Sequence, residues 1–257
     1  MTDRVLYGDQ RKNHILEQLM SSGRIDAVDI AAALGVTGET VRKDLIALER
    51  QGLLRRVHGG AVPVQSLSFE PAVETRTQFA SEKARIAQAA LRHLPAAGSV
   101  LIDAGSTTAK LVEMFPGDRD LTVYTNALPL ALSLLTRPRL TVFTLGGRLR
   151  TTTFAEVGDW AARALADINV DIAFLGTNGI SLSRGLTTPD AEEAAVKRLM
   201  LGCATKRILL ADHSKFGVIN GTKHGNLEDI DVLISDTGLT DRQTAELRSA
   251  GIEVERT

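Results

Sequence analysis

The chain has 257 residues, 44% of the hydrophobic class and 24% charged, and its 30 Lys and Arg against 31 Asp and Glu leave a net charge of −1, which allows a large and a small globular domain and excludes a strongly basic or acidic protein. No run approaches the ~18 apolar residues that span a bilayer, and Met1 to Asp9 lack the basic-then-apolar pattern of a signal peptide, so a cytoplasmic protein without a membrane partner is expected. A lone Cys203 rules out an internal disulfide, and neither Cys pairs nor clustered His residues offer zinc spacing, so no metal and no cofactor are expected.

From Asp9 to Gly52 apolar positions follow a helical period in three runs: Ile15 and Leu19, then Ile30, Ala33 and Leu34, then Val41, Leu45 and Leu48. Ser22-Gly23 closes the first run and Gly35 the second. Only Gly35-Val36 separates the second from Thr37, a good N-cap for the third, so the spacing predicts a helix-turn-helix. Beyond it, Leu53 to Val57 and Ala61-Val62 flank His58-Gly59-Gly60 as a short hairpin, or wing. The charge is locally biased here: residues 1–62 sum to +1, yet Glu39 to Gly60 hold five basic residues and three acidic ones.

With Val41, Leu45 and Leu48 turned inward, the third helix shows Glu39, Lys43 and Arg50 on its opposite face and Thr40 and Arg42 on the flanks. Recognition helices read base edges with their N-terminal residues, which marks Thr37, Glu39, Thr40, Arg42 and Lys43, while Arg55, Arg56 and His58 on the wing suit phosphate or minor-groove contact. A solvated helix face explains the charges alone equally well; the tight turn, the capped third helix and the Gly-Gly hairpin together favour DNA reading. Arg11, Ile15 and Leu19, then Thr40-Val41-Arg42-Lys43-Asp44-Leu45 and Arg56-Val57-His58-Gly59-Gly60-Ala61, closely resemble the N-terminal winged helix of the DeoR family of bacterial transcriptional regulators. Lys43 stands where that family usually has a second Arg, and Thr37-Gly38 where it often has Ser and a longer polar residue.

Pro63 to about Thr77 has little periodicity and reads as a linker with a short helix behind it, dividing the chain into 1–62, a linker 63–78, and 79–257. In the last part, short apolar β-runs at 100–102, 121–124, 140–143, 172–175, 208–210 and 232–234 alternate with helical stretches at 127–135, 190–203 and 240–250. That alternation predicts an α/β domain with a mainly parallel sheet whose strands are buried on both faces.

The strand at 99–102 ends in Asp103-Ala104-Gly105-Ser106-Thr107-Thr108 before a helix expected near Ala109. Open parallel sheets bind ligands beyond the carboxyl ends of their strands, and a Gly-Ser-Thr-Thr turn at a helix start offers amide and hydroxyl donors that favour phosphate. Thr125-Asn126, Gly146-Gly147-Arg148, Gly176-Thr177-Asn178-Gly179 and Ala211-Asp212-His213-Ser214-Lys215 bring four more polar strand ends to the same rim. Arg148 and Lys215 are placed to neutralise a phosphate; Asp103, Asn126, Asn178 and Asp212 are placed to bond hydroxyls. Residues 80–236 also resemble the DeoR sensor domain, through Ser81-Glu82-Lys83, the Asp103 to Thr108 turn, Gly185-Leu186-Thr187-Thr188, Glu192, Lys197-Arg198, and Ala211 to Gly217.

The resemblance implies a repressor of a carbohydrate operon that binds double-stranded operator DNA as a homo-oligomer, dimer or tetramer, and is released by a phosphorylated sugar. The α/β domain is also similar to ribose-5-phosphate isomerase, so a sugar-phosphate isomerase with a DNA-binding appendage is the rival. That isomerase family carries an Asp-Gly-Ala-Asp segment where this chain has Gly176-Thr177-Asn178-Gly179, so both aspartates are missing, and Arg184 replaces its Lys. With most of the acid-base set absent, binding without turnover is expected and no catalytic residue is assigned.

Overall fold

The computed structural model describes residues 8–50, 53–63, 67 and 70–257, and the chain divides into two units, Met1–Phe69 and Glu70–Thr257.

In the first unit α1 (Gly8–Ser22), β1 (Ile25–Asp26), α2 (Ala27–Ala33) and α3 (Gly38–Arg50) precede a hairpin of β2 (Leu54–Val57) and β3 (Gly60–Pro63). Asp26 caps α2 by accepting from the Val28 N–H at 2.8 Å, and the Thr37 hydroxyl caps α3 by accepting from the Thr40 N–H at 3.2 Å. Gly35, at φ +61°, makes the turn between them in a left-handed conformation natural to glycine. Ile15, Leu19, Ile30, Val41, Leu45, Leu48 and Leu54 form the buried core, each contributing about 1.5–3 kcal/mol through removal from water. Two features exceed the sequence reading. Ile25–Asp26 pairs with β3 as a third strand, Ile25 opposite Ala61, and a nearly buried ion pair from Arg11 to Asp44 fastens α1 to α3.

The second unit holds α4 (Ala80–Ala90), β4 (Ala97–Ile102), α5 (Ser106–Glu113), β5 (Asp120–Thr125), α6 (Leu128–Leu134), β6 (Leu140–Thr144), a small hairpin β7 (Arg148–Leu149) and β8 (Glu156–Val157), α7 (Asp159–Ala166) and β9 (Val170–Leu175). It continues with β10 (Gly179–Ser181), β11 (Gly185–Thr188), α8 (Ala191–Gly202), β12 (Ala204–Leu210), β13 (Thr222–Gly225), β14 (Val232–Ser235), α9 (Asp241–Ser249) and β15 (Glu253–Arg256). The main sheet has seven strands in the order β15-β14-β12-β9-β4-β5-β6, every pair parallel, so all carboxyl ends share one rim. From β4 the chain builds outward through β5 and β6, then returns to place β9 on the other side. The switch point of the sheet therefore lies between β4 and β9, where open α/β sheets form their ligand crevice.

Three expectations are corrected. The strands are not all buried on both faces: β6 is an edge strand, with Phe143 47% exposed and stacked on Tyr124 at 5.2 Å, because no further strand follows it. The helix after β4 begins at Ser106, three residues before Ala109, since the β4 turn leads straight into helical backbone. Within the expected linker 63–78, residues 64–66 and 68–69 lie outside the described residues, while Glu70 onward folds with the second unit, held by hydrogen bonds such as Val73 N–H to Thr152 O at 2.8 Å. The small antiparallel sheet β10-β11-β13 and the strand β15 were not expected either; their short or charged sequences carry no apolar run. Among the described residues no helix is long and apolar enough to cross a membrane.

Candidate functional site

On the first unit, Thr37, Glu39, Arg42, Lys43, Arg55, Arg56 and His58 are exposed and Thr40 is half-buried, while Val41, Leu45 and Leu48 face the core. Glu39 and Arg42 pair at 3.3 Å with side chains 61% and 70% exposed, so water competes for both and the pair is readily exchanged for a base edge or phosphate. Arg56 differs from its neighbour Arg55. Its Nε donates to Glu49 Oε2 at 2.6 Å and its N–H to Glu49 Oε1 at 2.8 Å, so it ties the wing to α3. The Thr37 hydroxyl is occupied in capping α3 and lies 2.9 Å from that of Thr40.

On the second unit, the residues at the switch point are buried and hydrogen-bonded. Asp103, directly after β4, is fully buried; its Oδ2 accepts from the Gly176 N–H at 2.9 Å and pairs with Lys197 of α8, whose ammonium also donates to Gly176 O at 3.1 Å. Asn126, after β5, accepts the Ala104 N–H at 2.9 Å. Asp212, after β12, accepts the Ser214 N–H at 3.1 Å and the Ser214 hydroxyl. Each of the three retains one buried polar atom with no partner among the described residues: Asp103 Oδ1, Asn126 Nδ2 and Asp212 Oδ2. Buried polar atoms left unbonded cost roughly 1–3 kcal/mol each, so their gathering at strand ends calls for an explanation. Beside them Gly105 stands at the N-cap of α5 with no side chain capping the helix. The first-turn amides of Ser106, Thr107 and Thr108 offer the positive end of the helix dipole, as phosphate requires. The Thr108 hydroxyl donates to Gly105 O at 3.0 Å.

Other expected rim residues lie in different settings. Arg148 pairs with Glu192, and with Gly147 it lines an open cavity of about 390 Å³ together with Gly158, Asp159 and Trp160. The Asn178 side chain is committed at both ends, donating to Glu70 Oε1 at 3.1 Å and accepting from the Thr188 hydroxyl at 3.0 Å. Lys215, in the turn after Asp212, is half-buried and forms no ion pair among the described residues. The His213 Nδ1 lies 2.8 Å from Asp236 Oδ2, and Gly238 makes room for the ring, since a Cβ there would stand 2.3 Å from Nδ1. Burial works to raise the Asp236 carboxyl, but the donors of His213 and Gly238 outweigh it and hold the group below the usual carboxylate range.

Sequence reasoning met the charged residues inside α8 only through family resemblance and assigned none of them to the site. Glu193 and Lys197 are 2% and 3% exposed, spaced i and i+4 in register with the apolar Ala194, Val196 and Met200. Charges on the apolar stripe of a helix were the available signal. Burial raises the Glu193 carboxyl above the usual range against the opposing pull of Lys197. Glu70 and Arg150 sit in irregular segments that offered no such pattern, and Glu156 stands in the two-residue strand β8, too short for one.

Comparison with known proteins agrees in both units. A family model described as the DeoR-like helix-turn-helix domain matches residues 11–66, and one described as the DeoR C terminal sensor domain matches residues 78–237. The transcriptional regulator GlpR of Haloferax volcanii is 37% identical over 246 residues, 95% of this chain and 96% of that protein. The transcriptional repressor CsqR of Escherichia coli K12 is 30% identical over 234 residues, 90% of this chain and 88% of that protein. Among solved structures, ribose 5 phosphate isomerase A from Neisseria gonorrhoeae is similar at 14% identity with a TM-score of 0.39, covering 53% of each chain.

Proposed function

The chain belongs to the DeoR family of transcriptional regulators, and from that premise we propose that it is a repressor of a carbohydrate-metabolism operon, released from its operator when a phosphorylated sugar occupies the rim of the second unit. The observation that carries the ligand reading is the trio of unpartnered buried atoms, Asp103 Oδ1, Asn126 Nδ2 and Asp212 Oδ2, beside the uncapped start of α5. Two carboxylate acceptors and an amide donor suit the hydroxyls of a sugar; the α5 amides and Lys215 suit its phosphate. Repression accords with the naming of one relative, and a dimer or larger homo-oligomer would present two copies of α3 to two half-sites.

Rim occupancy would act through different ligand affinities of the DNA-competent and DNA-incompetent arrangements, a coupling of about 1–3 kcal/mol, or roughly 5- to 150-fold in affinity. The test is a calorimetric screen of phosphorylated pentoses, hexoses and trioses, followed by anisotropy titration of the promoter duplex with and without the best binder. A binder that weakens operator binding supports the proposal. No binder, or a binder without effect on DNA, overturns it, and turnover of a binder to an isomer would return the enzyme reading.

A further inference from the structure

The chain enters the second unit through a carboxylate that reaches three separate segments. The Glu70 side chain is only 4% exposed. Its Oε1 accepts from Arg76 Nη2 at 2.7 Å and from Asn178 Nδ2 at 3.1 Å, and its Oε2 accepts from Arg150 Nη1 at 2.9 Å. Each partner belongs to something larger. Arg76 closes the first turn of the unit, its Nε donating to Pro71 O at 3.0 Å. Arg150 reaches α8, pairing with Glu193 at 2.9 Å and with its N-cap Asp190 at 3.4 Å. Asn178 lies in the loop after β9, two residues beyond the Gly176 that holds Asp103 and Lys197.

We propose that Glu70 is a positioning residue that ties the ligand rim to the segment 70–76, through which the second unit is joined to the DNA-reading one. This rests on the reading of the rim as the effector site. A buried carboxylate is tolerated only while its donors stay in place, so loss of one partner destabilises the rest and the segment is held or released as a unit. The two side chains that Glu70 engages on the rim side, the Asn178 amide and the Arg150 guanidinium, are donors of the kinds that a polyhydroxy anion recruits. A ligand that draws either of them therefore takes it from Glu70, and loosens the segment leading to the first unit.

Amide hydrogen exchange on the full chain tests the tie without any ligand. The reporters are the Val73, Thr75 and Arg76 N–H groups, bonded to Thr152 O, Ala72 O and Val73 O. Since a hydrogen bond to a charged group is lost, Asn178→Ala should speed their exchange about tenfold although it changes the opposite end of the network, and Glu70→Gln should do the same. Combined, the two should give no more than Glu70→Gln alone, and Lys215→Ala, which does not touch Glu70, should leave these amides unchanged. Both network variants should also weaken operator binding by about fivefold, a readout that a purely local structural role would not move. Unchanged exchange in Asn178→Ala, effects that multiply independently, or unaltered operator affinity would overturn the proposal. A negative sugar-phosphate screen would overturn the effector reading and leave this result standing.

Discussion

Lys197 of α8 and Asp103 at the end of β4 form an ion pair with side chains 4% and 0% exposed, and both also bond the backbone of Gly176 after β9. Three elements therefore meet at one charge pair, at the switch point of the sheet. Desolvating two charges is costly, and here the cost is offset by their mutual attraction and by the bonds both make to Gly176.

Removing one partner leaves an uncompensated buried charge. Lys197→Met should destabilise the second unit by about 3–5 kcal/mol, whereas Lys197→Met combined with Asp103→Asn should recover a large part of the loss. Urea unfolding of the single and double variants checks this; a single variant within ~1 kcal/mol of the parent would mean that water reaches the pair.

Arg42 on α3 presents a different balance. Its pair with Glu39 is open to solvent, so it adds little to folding, and its exposed guanidinium is free to read a base. Arg42→Ala should leave thermal unfolding of the first unit nearly unchanged and weaken operator binding by about 1–3 kcal/mol while non-specific binding falls less. Anisotropy titrations on promoter and scrambled duplexes separate the two, and an unaltered ratio would remove Arg42 from base readout.

The helices and strands that bury one apolar face were legible in the sequence, because burial imposes period: Val41, Leu45 and Leu48 gave α3, and runs such as Ile208-Leu209-Leu210 gave the sheet interior. The placing of Asp103, Asn126 and Asp212 at strand ends was legible, since the strand ends of a parallel sheet share a rim, and all three are buried there. What was not legible depends on partners distant in the chain. Glu70 is 80 residues from Arg150 and 108 from Asn178, and nothing local distinguishes it from a surface glutamate. Arg148 was expected as a rim cation, but its engagement by Glu192 across 44 residues was not legible. The strand Ile25–Asp26 is too short for any period, and exists through its pairing with the wing.

That pairing makes Gly60 indispensable. Asp26 lies opposite Gly60, and a Cβ at that position would stand 1.8 Å from Ile25 O and 3.1 Å from Asp26 Cα, so β1 and β3 could not keep their spacing. Gly60→Ala should destabilise the first unit by at least ~2 kcal/mol and leave the second unit's unfolding transition in place. Faster exchange of the Ala27 N–H, bonded to Gly59 O at 2.8 Å, reports the lost strand directly; full protection of that amide would show that the wing adapts.

His224 of β13 gives the second unit a pH dependence whose sign follows from its surroundings. The ring is 2% exposed; burial pushes its pKa well below the ordinary 6.5, and the charges of Lys197 and Arg198 push in the same direction. The Thr177 hydroxyl spends its proton on the Gly179 or Thr187 carbonyl, at 3.0 and 3.2 Å, so the imidazole Nε2 at 3.2 Å is the donor to it and Nδ1 is bare. At neutral pH the ring is uncharged in both folded and unfolded chains and nothing is lost. Below about pH 6.5 the unfolded chain takes up a proton that the native ring refuses, so stability falls with falling pH by about 1.4 kcal/mol per unit. Urea unfolding between about pH 7.5 and 5.5 should show this decline in the parent chain and a shallower one in His224→Gln, whose amide can still donate to Thr177. Equal slopes in the two would mean that the imidazole accepts its proton in place, and that the β13 sheet opens to water around it.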